Sequence, residues 1–448
     1  MASAVLNIFK VPELRKKILF TLIILIVYRI GCHIPIPGIN VEALKAYFDQ
    51  AAKGTAGSLL NFFDLFAGGA LRRFTIFALG IMPYISASII MQLLNVVIPA
   101  LERLSKEGPE GHKKINQYTR YGTVILCALQ ALGLTVWMKS MVSAKGAVVP
   151  KDAGILFVIV AVVTITSGTL ILMWLGELIT ERGIGNGISL IIFAGIVVRV
   201  PPAFMETISK IIERGNPILL IILIVLFCFV IAASILLTLG IRKIPVQYGK
   251  RIVGRRMVQM KSQAIPLRVN AAGVIPIIFA SSVVLLPSQL GNMLGVNKYA
   301  IFNKIQYWLS PGQISYMFFY GLLIVFFCYF YTAIQFNPVD IAENLKKYGG
   351  FIPGIRPGQT TSEFIMRILN RITLSGSIFL AVIAIMPDFI MRIWPEDVSH
   401  EMAYLFGGTS LLIIVGVALD TLRQIESQLL MRHYDGFIKK GRIRGRYS

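Results

Sequence analysis

The sequence predicts an all-α integral membrane protein with ten transmembrane helices in two inverted sets of five. Three observations carry this expectation. Hydrophobic residues make up 56% of the 448 and charged residues only 15%, where a soluble domain carries about a quarter. Apolar runs of about 20 residues, the length that crosses a bilayer core, recur near 18–34, 75–98, 121–142, 154–175, 184–200, 217–240, 269–287, 314–336, 372–391 and 403–422. The Lys and Arg residues behind the net charge of +22 are unevenly placed among the connecting segments.

The first span follows Lys10, Arg15, Lys16 and Lys17. This start imitates a signal peptide, but no small-residue cleavage site follows, so the expectation is an uncleaved span. With the N-terminus inside, thirty of the 44 Lys and Arg fall on inner segments, which fixes the orientation by the positive-inside rule. Both termini are then cytoplasmic. Ten spans divide into residues 1–198 and 217–448, joined by an external segment at 199–216. Five spans per half is an odd number, which places the halves in opposite orientations, and such repeats put the working site at their interface. Parity alone carries this step.

Two stretches depart from plain spans. NFFDLFAGGALRR (Asn61–Arg73) is apolar, too short to cross, and interrupted by Gly68-Gly69. It reads either as an interfacial helix or as a re-entrant piece buried in protein, since bare backbone does not face lipid. The inner loop 241–268 carries eight basic residues and no acid. Its alternation in RIVGRRMVQMK suits a hairpin with a basic face, a surface for an acidic partner or RNA. A second basic inner loop spans 337–371.

Enzyme signatures are absent. His33, His112, His400 and His433 form no HExxH. The widely spaced Cys32, Cys127, Cys228 and Cys328 make no metal pattern. GIGNG (Gly183–Gly187) resembles a phosphate cradle but lacks the GK[ST] ending. No Asp, Glu, Lys or Arg stands at the middle of a span, where coupled carriers usually keep one; Glu177 and Asp420 are terminal and Arg29 is near the outer end. No cofactor and no metal are expected. What the spans do carry is isoleucine: Ile81 and Ile85 flank Pro83 on one helix face, and Ile188 and Ile192 repeat the spacing. Such stripes are ordinary packing unless several converge on one axis, where they form a dry constriction that gates by dewetting.

Five motifs in order resemble the SecY family: ALGIMPYISASI (Ala78–Ile89), GELITERGIGNGIS (Gly176–Ser189), NAAGVIPIIFASS (Asn270–Ser282), GIRPG (Gly354–Gly358) and LFGGTSLLI (Leu405–Ile413). The resemblance covers nearly the whole chain. It implies a central hourglass pore with a lateral gate in a protein-conducting channel. Such a channel translocates unfolded preproteins across the bacterial cytoplasmic membrane and releases membrane segments sideways into it. It further implies a pore ring of Ile81, Ile85, Ile188, Ile192, Ile278 and Ile413. A plug helix at about 61–70 would comprise Asn61, Phe62, Phe63, Asp64, Leu65, Phe66, Ala67, Gly68 and Gly69. Ser86 and Gln130 would be polar gate residues. Arg242, Lys243, Lys250, Arg251, Arg255, Arg256 and Arg356 would form a docking surface for the SecA motor and the ribosome, ribosomal RNA included. SecE and SecG subunits, signal sequences and membrane lipids complete the implied partners. On this reading the chain is a passive path, not an enzyme.

Overall fold

The computed structural model describes residues 11–51, 64, 67–143, 146–150, 154–215, 217–248, 251–253, 256–258, 263–270, 272–281, 283–284, 308–309, 312–395 and 397–440. The described chain is mostly helical and forms two compact units, Met1–Phe204 with Ile413–Ser448, and Met205–Leu412.

The first unit opens with α1 (Pro12–Gly31) and α2 (Val41–Ala51), the latter capped by Asn40, whose Oδ1 accepts from the amides of Glu42 and Ala43. Helices α3 (Met82–Val97) and α4 (Pro99–Lys106) follow, bent by 100° at their junction. Pro99 explains the bend: its ring bars Ile98 from the helical region, and Ile98 sits extended at φ −99°, ψ 111°. Then come α5 (Pro109–Ser140), the short pair β1 (Val142–Ser143) and β2 (Gly146–Ala147), α6 (Ile155–Arg182), α7 (Gly187–Val197) and α8 (Val200–Glu213).

The second unit holds α9 (Pro217–Leu239), strands β3 (Ile241–Tyr248), β4 (Arg251–Val253), β5 (Arg256–Val258) and β6 (Gln263–Arg268), helical residues 275–281, and α10 (Ile314–Gln335). It continues through α11 (Pro338–Lys347), β7 (Gly350–Phe351), α12 (Gln359–Ile393) and α13 (His400–Phe406). The final helix, α14 (Gly408–Lys440), belongs to the first unit from Ile413 onward. Among the described residues, six helices or helix pairs are long and apolar enough to cross a membrane, seven if α3 and α4 count as one broken span. Helices α1 and α14 stand where two further spans are expected.

Two sequence expectations meet the structure here. The acid-free inner loop does form hairpins: β3 lies between β6 and β7, and β4 pairs with β5. Ile244 and Val246 point inward and, with Leu267, pack on Ile352 and Ile365, the two-residue period of a half-buried strand. The apolar run at 75–98 is different. Its helix begins only at Met82, and residues 71–81 are turns, with Phe74 at φ +46° and Gly80 at φ +56°. Pro83 therefore lies in the first helical turn, where the missing N–H costs nothing, rather than breaking a helix already under way. The turns are apolar because they are buried in protein: Phe74, Phe77 and Ala78 are at most 3% exposed. Their backbone pairs with the chain at 34–36, Ile36 N donating to Phe74 O at 3.0 Å and Ile76 N to Ile34 O at 3.2 Å.

Helix α6 holds this segment in place. The Thr169 hydroxyl donates to Gly80 O at 3.3 Å, and a Cβ at Gly168 would fall 2.0 Å from Ile76 O. Exchanging a helical glycine for alanine ordinarily stabilises by about 0.8–1 kcal/mol. Gly168→Ala is expected to reverse that sign and destabilise by about 1–3 kcal/mol, the cost of overpacking a close contact, as read from thermal unfolding of the purified protein. A variant as stable as the parent would remove α6 as the support of residues 71–81.

Candidate functional site

The site is built on the first unit, from the buried Asp64 and the turn at residues 67–70. Asp64 is 0% exposed. Its Oδ1 accepts from the amides of Leu71 and Arg72 at 3.0 and 3.1 Å, and its own carbonyl accepts from Gly69 N at 3.0 Å, so one residue closes the turn from both ends. The other carboxylate oxygen meets the Arg199 guanidinium, with Arg72 Nε at 3.4 Å. Arg29, in the last turn of α1, donates to Gly68 O at 2.9 Å. Gly68 has φ +64°, and a Cβ there would strike the Tyr28 hydroxyl at 2.8 Å and Gly195 Cα at 2.9 Å. Only glycine allows that approach of turn to helix α7. Of the two sequence alternatives for this stretch, residues 64 and 67–70 match the buried, protein-enclosed one. Asn61, Phe62, Phe63, Leu65 and Phe66 lie outside the described residues.

Directly after this turn come the isoleucines. Ile81 is the N-cap of α3 and Ile85 stands one turn on, with Ile85 N donating to Ile81 O at 3.1 Å. Ile188 and Ile192 are one turn apart on α7; Ile188 packs on Gly176 of α6, where an added Cβ would be 3.0 Å from its Cγ1. Ile81, Ile192 and Ile413 are buried. These five belong to the first unit, whereas the buried Ile278 lies in the second, on helical residues 275–281. Of the expected gate residues, Ser86 is half-buried on α3 and Gln130 is exposed on α5; the two helices approach through Ala87 and Gly122, 3.7 Å apart for an added Cβ.

GIGNG, between α6 and α7, is a structural knot. Ile184 N donates to the Thr21 hydroxyl (3.2 Å), Gly185 N to Gln424 Oε1 (2.8 Å), Gly187 N to the Thr180 hydroxyl (2.9 Å) and Ser189 N to Asn186 Oδ1 (3.2 Å). Side chains occupy the amides that a phosphate would need. The knot ties α1, α6, α7 and α14 together, and Ile425 and Leu429 pack on Leu14 and Ile184 beside it. That packing is why the last helix joins the first unit.

In the second unit Arg242 and Lys243 are exposed on β3. Arg356 is exposed on a loop anchored by Ile352 and Ile355, which sit in or against the same small core as Ile244 and Val246; the Thr361 hydroxyl donates to Arg356 O at 2.8 Å. The β4–β5 register pairs Arg251 with Val258 and Val253 with Arg256; Lys250 and Arg255 lie outside the described residues.

Some residues carry no sequence signal for their roles. Arg199 and Asp64 are 135 positions apart. Arg120 and Glu177 form a two-pronged pair, 3.1 and 2.7 Å, between α5 and α6. Asp388 is 2% exposed near the end of α12. Among the described residues no three His, Cys, Asp or Glu side chains gather into a metal site.

Comparison with known proteins places this geometry. The SecY family model matches residues 75–422. The protein translocase subunit SecY of Aquifex aeolicus is 45% identical over 443 residues, 98% of this chain and all of the relative. The subunit of the same name from Escherichia coli K12 is 44% identical over 435 residues, 97% of this chain and 96% of the relative. Among solved structures, one described as a protein conducting channel aligns with a TM-score of 0.64 at 21% identity, covering 93% of both chains. Sec61 in a canine ribosome–channel complex aligns with a TM-score of 0.59 at 19% identity, again over 93% of both. At those identities the structures speak for the fold.

The knot yields a test. Thr21→Val keeps the shape but leaves the buried Ile184 N–H without its acceptor. It should cost about 1–3 kcal/mol. Thr164→Val, which removes only a hydroxyl donating to Val160 O one turn back, should stay within about 0.5 kcal/mol. Equal thermal stability of the two variants would contradict the knot.

Proposed function

The chain belongs to the SecY family, and from that premise we propose that it is the channel subunit of a bacterial protein translocase, a passive path through the cytoplasmic membrane for unfolded preproteins. The observation that carries the reading is Asp64 with the turn at residues 67–70: an apolar segment with a buried carboxylate, folded into the protein immediately before the isoleucines Ile81 and Ile85. In the channel this segment is the plug. Ile81, Ile85, Ile188, Ile192, Ile278 and Ile413 form the ring beneath it. An apolar ring gives a sliding chain no hydrogen-bonding partner, and when closed it dewets and excludes ions.

Residues 1–198 and 217–448 act as inverted halves about the segment 199–216. Helix α3 with Ser86 and helix α5 with Gln130 form one side of the lateral gate, through which signal sequences reach lipid. The work comes from outside the chain. Arg242, Lys243, Lys250, Arg251, Arg255, Arg256 and Arg356, on the cytoplasmic side with both termini, dock the SecA motor or the ribosome. The matching fold of Sec61 from a ribosome–channel complex supports a ribosome as one partner. SecE and SecG accompany the channel.

Arg356 presents a planar fork that Lys cannot copy, on a loop stiffened by Pro357. Arg356→Glu should reduce motor-driven or ribosome-coupled transport while leaving thermal stability and the closed seal intact. Normal transport at ordinary salt would remove this loop from the docking surface.

The ring is tested by Ile413→Asn. In a ring, the amide holds water in the constriction and lowers the cost of opening, so less of a signal sequence's binding energy is needed. A shift of about 1.4 kcal/mol changes the closed–open balance roughly tenfold. Ion leak and export of preproteins with defective signals should both rise at matched protein amounts. If Ile413 is ordinary packing, the buried amide instead costs about 1–3 kcal/mol, and protein level falls with no gain in leak or tolerance.

A further inference from the structure

The carboxylate of Asp64 does two separable jobs. Through Oδ1 it closes its own turn, accepting from Leu71 N and Arg72 N. Through Oδ2 it meets the guanidinium of Arg199, which stands at the junction of α7 and α8, with Arg72 Nε of its own segment at 3.4 Å from the same oxygen. The first job is local folding and would be served as well in a segment floating free. The second ties the segment to a different helix, 135 positions away in sequence. Both partners are shielded from water, the Asp64 side chain at 0% and Arg199 at 10% exposure, so neither Debye screening nor bulk solvent weakens the attraction much. A contact between charged hydrogen-bonding groups is also the stronger kind.

The other described contacts of the seat are of a different kind: Ala67 and Ala70 pack into the same core as Tyr28, which is apolar and non-directional. Gly68 and Gly195 meet backbone to backbone, a contact that sets shape but has no side chain to hold with. Arg29 donates to a neutral carbonyl, Gly68 O. Gly69, at φ +88°, faces the Arg199 guanidinium at 3.5 Å for an added Cβ, so the arginine lies against the turn as well as against the carboxylate.

We propose that Arg199 is the latch of this channel: its pairing with Asp64 holds the segment at 64–70 in the seat formed by Tyr28, Arg29 and Gly195, and so sets how readily the resting channel opens. Arg199 is a positioning residue, since it touches the closing segment and not the translocated chain. The inference rests on the reading of 61–69 as the plug.

The test uses the whole translocase in membrane vesicles, with the four native cysteines replaced and Ala67→Cys introduced as a reporter; Ala67 is 2% exposed in the seat. Arg199→Met keeps the aliphatic stem and removes the charge. It should raise the maleimide labelling rate at position 67 by about tenfold or more, the scale of a modest shift in a two-state balance, and raise ion leak with it. Arg199→Lys, charged but without the fork, should fall between. Asp64→Asn combined with Arg199→Met should label no faster than Arg199→Met alone, because one interaction is lost once. A structural role alone would lower thermal stability and protein amount and leave labelling unchanged. If Arg199→Met does not accumulate, Arg199→Lys at matched amounts decides by the same readout.

Deletion of residues 61–69 separates the two readings. If the deletion leaks ions while both Arg199 variants stay protected at position 67, the latch is wrong and the plug stands. If the deletion does not leak, the plug reading fails and the latch fails with it.

Discussion

A peptide group left without a hydrogen-bond partner inside a bilayer costs several kcal/mol. That constraint explains where this chain is and is not helical. Its long helices satisfy their own backbone and present leucine, isoleucine and phenylalanine outward. Helix α9 (Pro217–Leu239), without one charged residue, is the plainest case. The non-helical apolar stretches need partners from elsewhere, and three among the described residues show where they come from. Residues 71–81 pair with the chain at 34–36 and receive the Thr169 hydroxyl at Gly80 O. The GIGNG loop is answered by Thr21, Thr180, Asn186 and Gln424. The turn at 67–70 is answered by Asp64 and Arg29.

Supplying such partners demands close approach, and small residues provide it. The three contacts that fix the irregular segments are Gly68 on Gly195, Gly168 on Ile76 O and Gly187 on Gly176 O, where added Cβ atoms would fall at 2.9, 2.0 and 1.9 Å. Each is a helix meeting a loop backbone or another helix end with no side chain between. The candidate site is thus set by backbone contacts and the isoleucines are carried on them. Ile81 caps α3 at the end of the held segment, and Ile188 stands one residue past Gly187.

Much of the fold was legible because it follows from length and period. Runs of about 20 apolar residues gave most helices, and the alternation in 241–268 gave the hairpins. The start of α3 was not legible: hydropathy cannot distinguish a residue facing lipid from one facing protein, so the buried turns at 75–81 read as a stretch of span. The helix at Val200–Glu213 was hidden for the converse reason, since an amphipathic segment with Glu206 and Lys210 looks like a connection. The grouping of α14 with the first unit depends on Gln424, Ile425 and Leu429 meeting residues more than 200 positions earlier, and local pattern has no access to that distance. The site divides the same way. Ile81, Ile85, Ile188 and Ile192 could be picked out by their spacing and Gly68-Gly69 as an interruption, whereas Ile278 and Ile413 entered only through the family resemblance. Arg199 could not be picked out, because its meaning lies wholly in its partner.

In the proposed channel the two kinds of interaction would respond differently to an approaching polypeptide. Apolar contacts among isoleucines are non-directional and nearly indifferent to which apolar surface they touch, so they can be remade around almost any chain. The Asp64–Arg199 contact is directional and buried, with Arg72 beside the same carboxylate oxygen at 3.4 Å. The desolvation already spent on both charges makes separating them costly while they stay dry. Water reaching the pair would lower that cost for both ions at once. The proposed seal therefore combines a compliant element with a stiff one whose release is coupled to hydration, and the first water admitted past the isoleucines weakens the contact that keeps the segment seated. Opening on this arrangement is cooperative, with wetting and unlatching each favouring the other, which suits a channel that must be either tight or fully open.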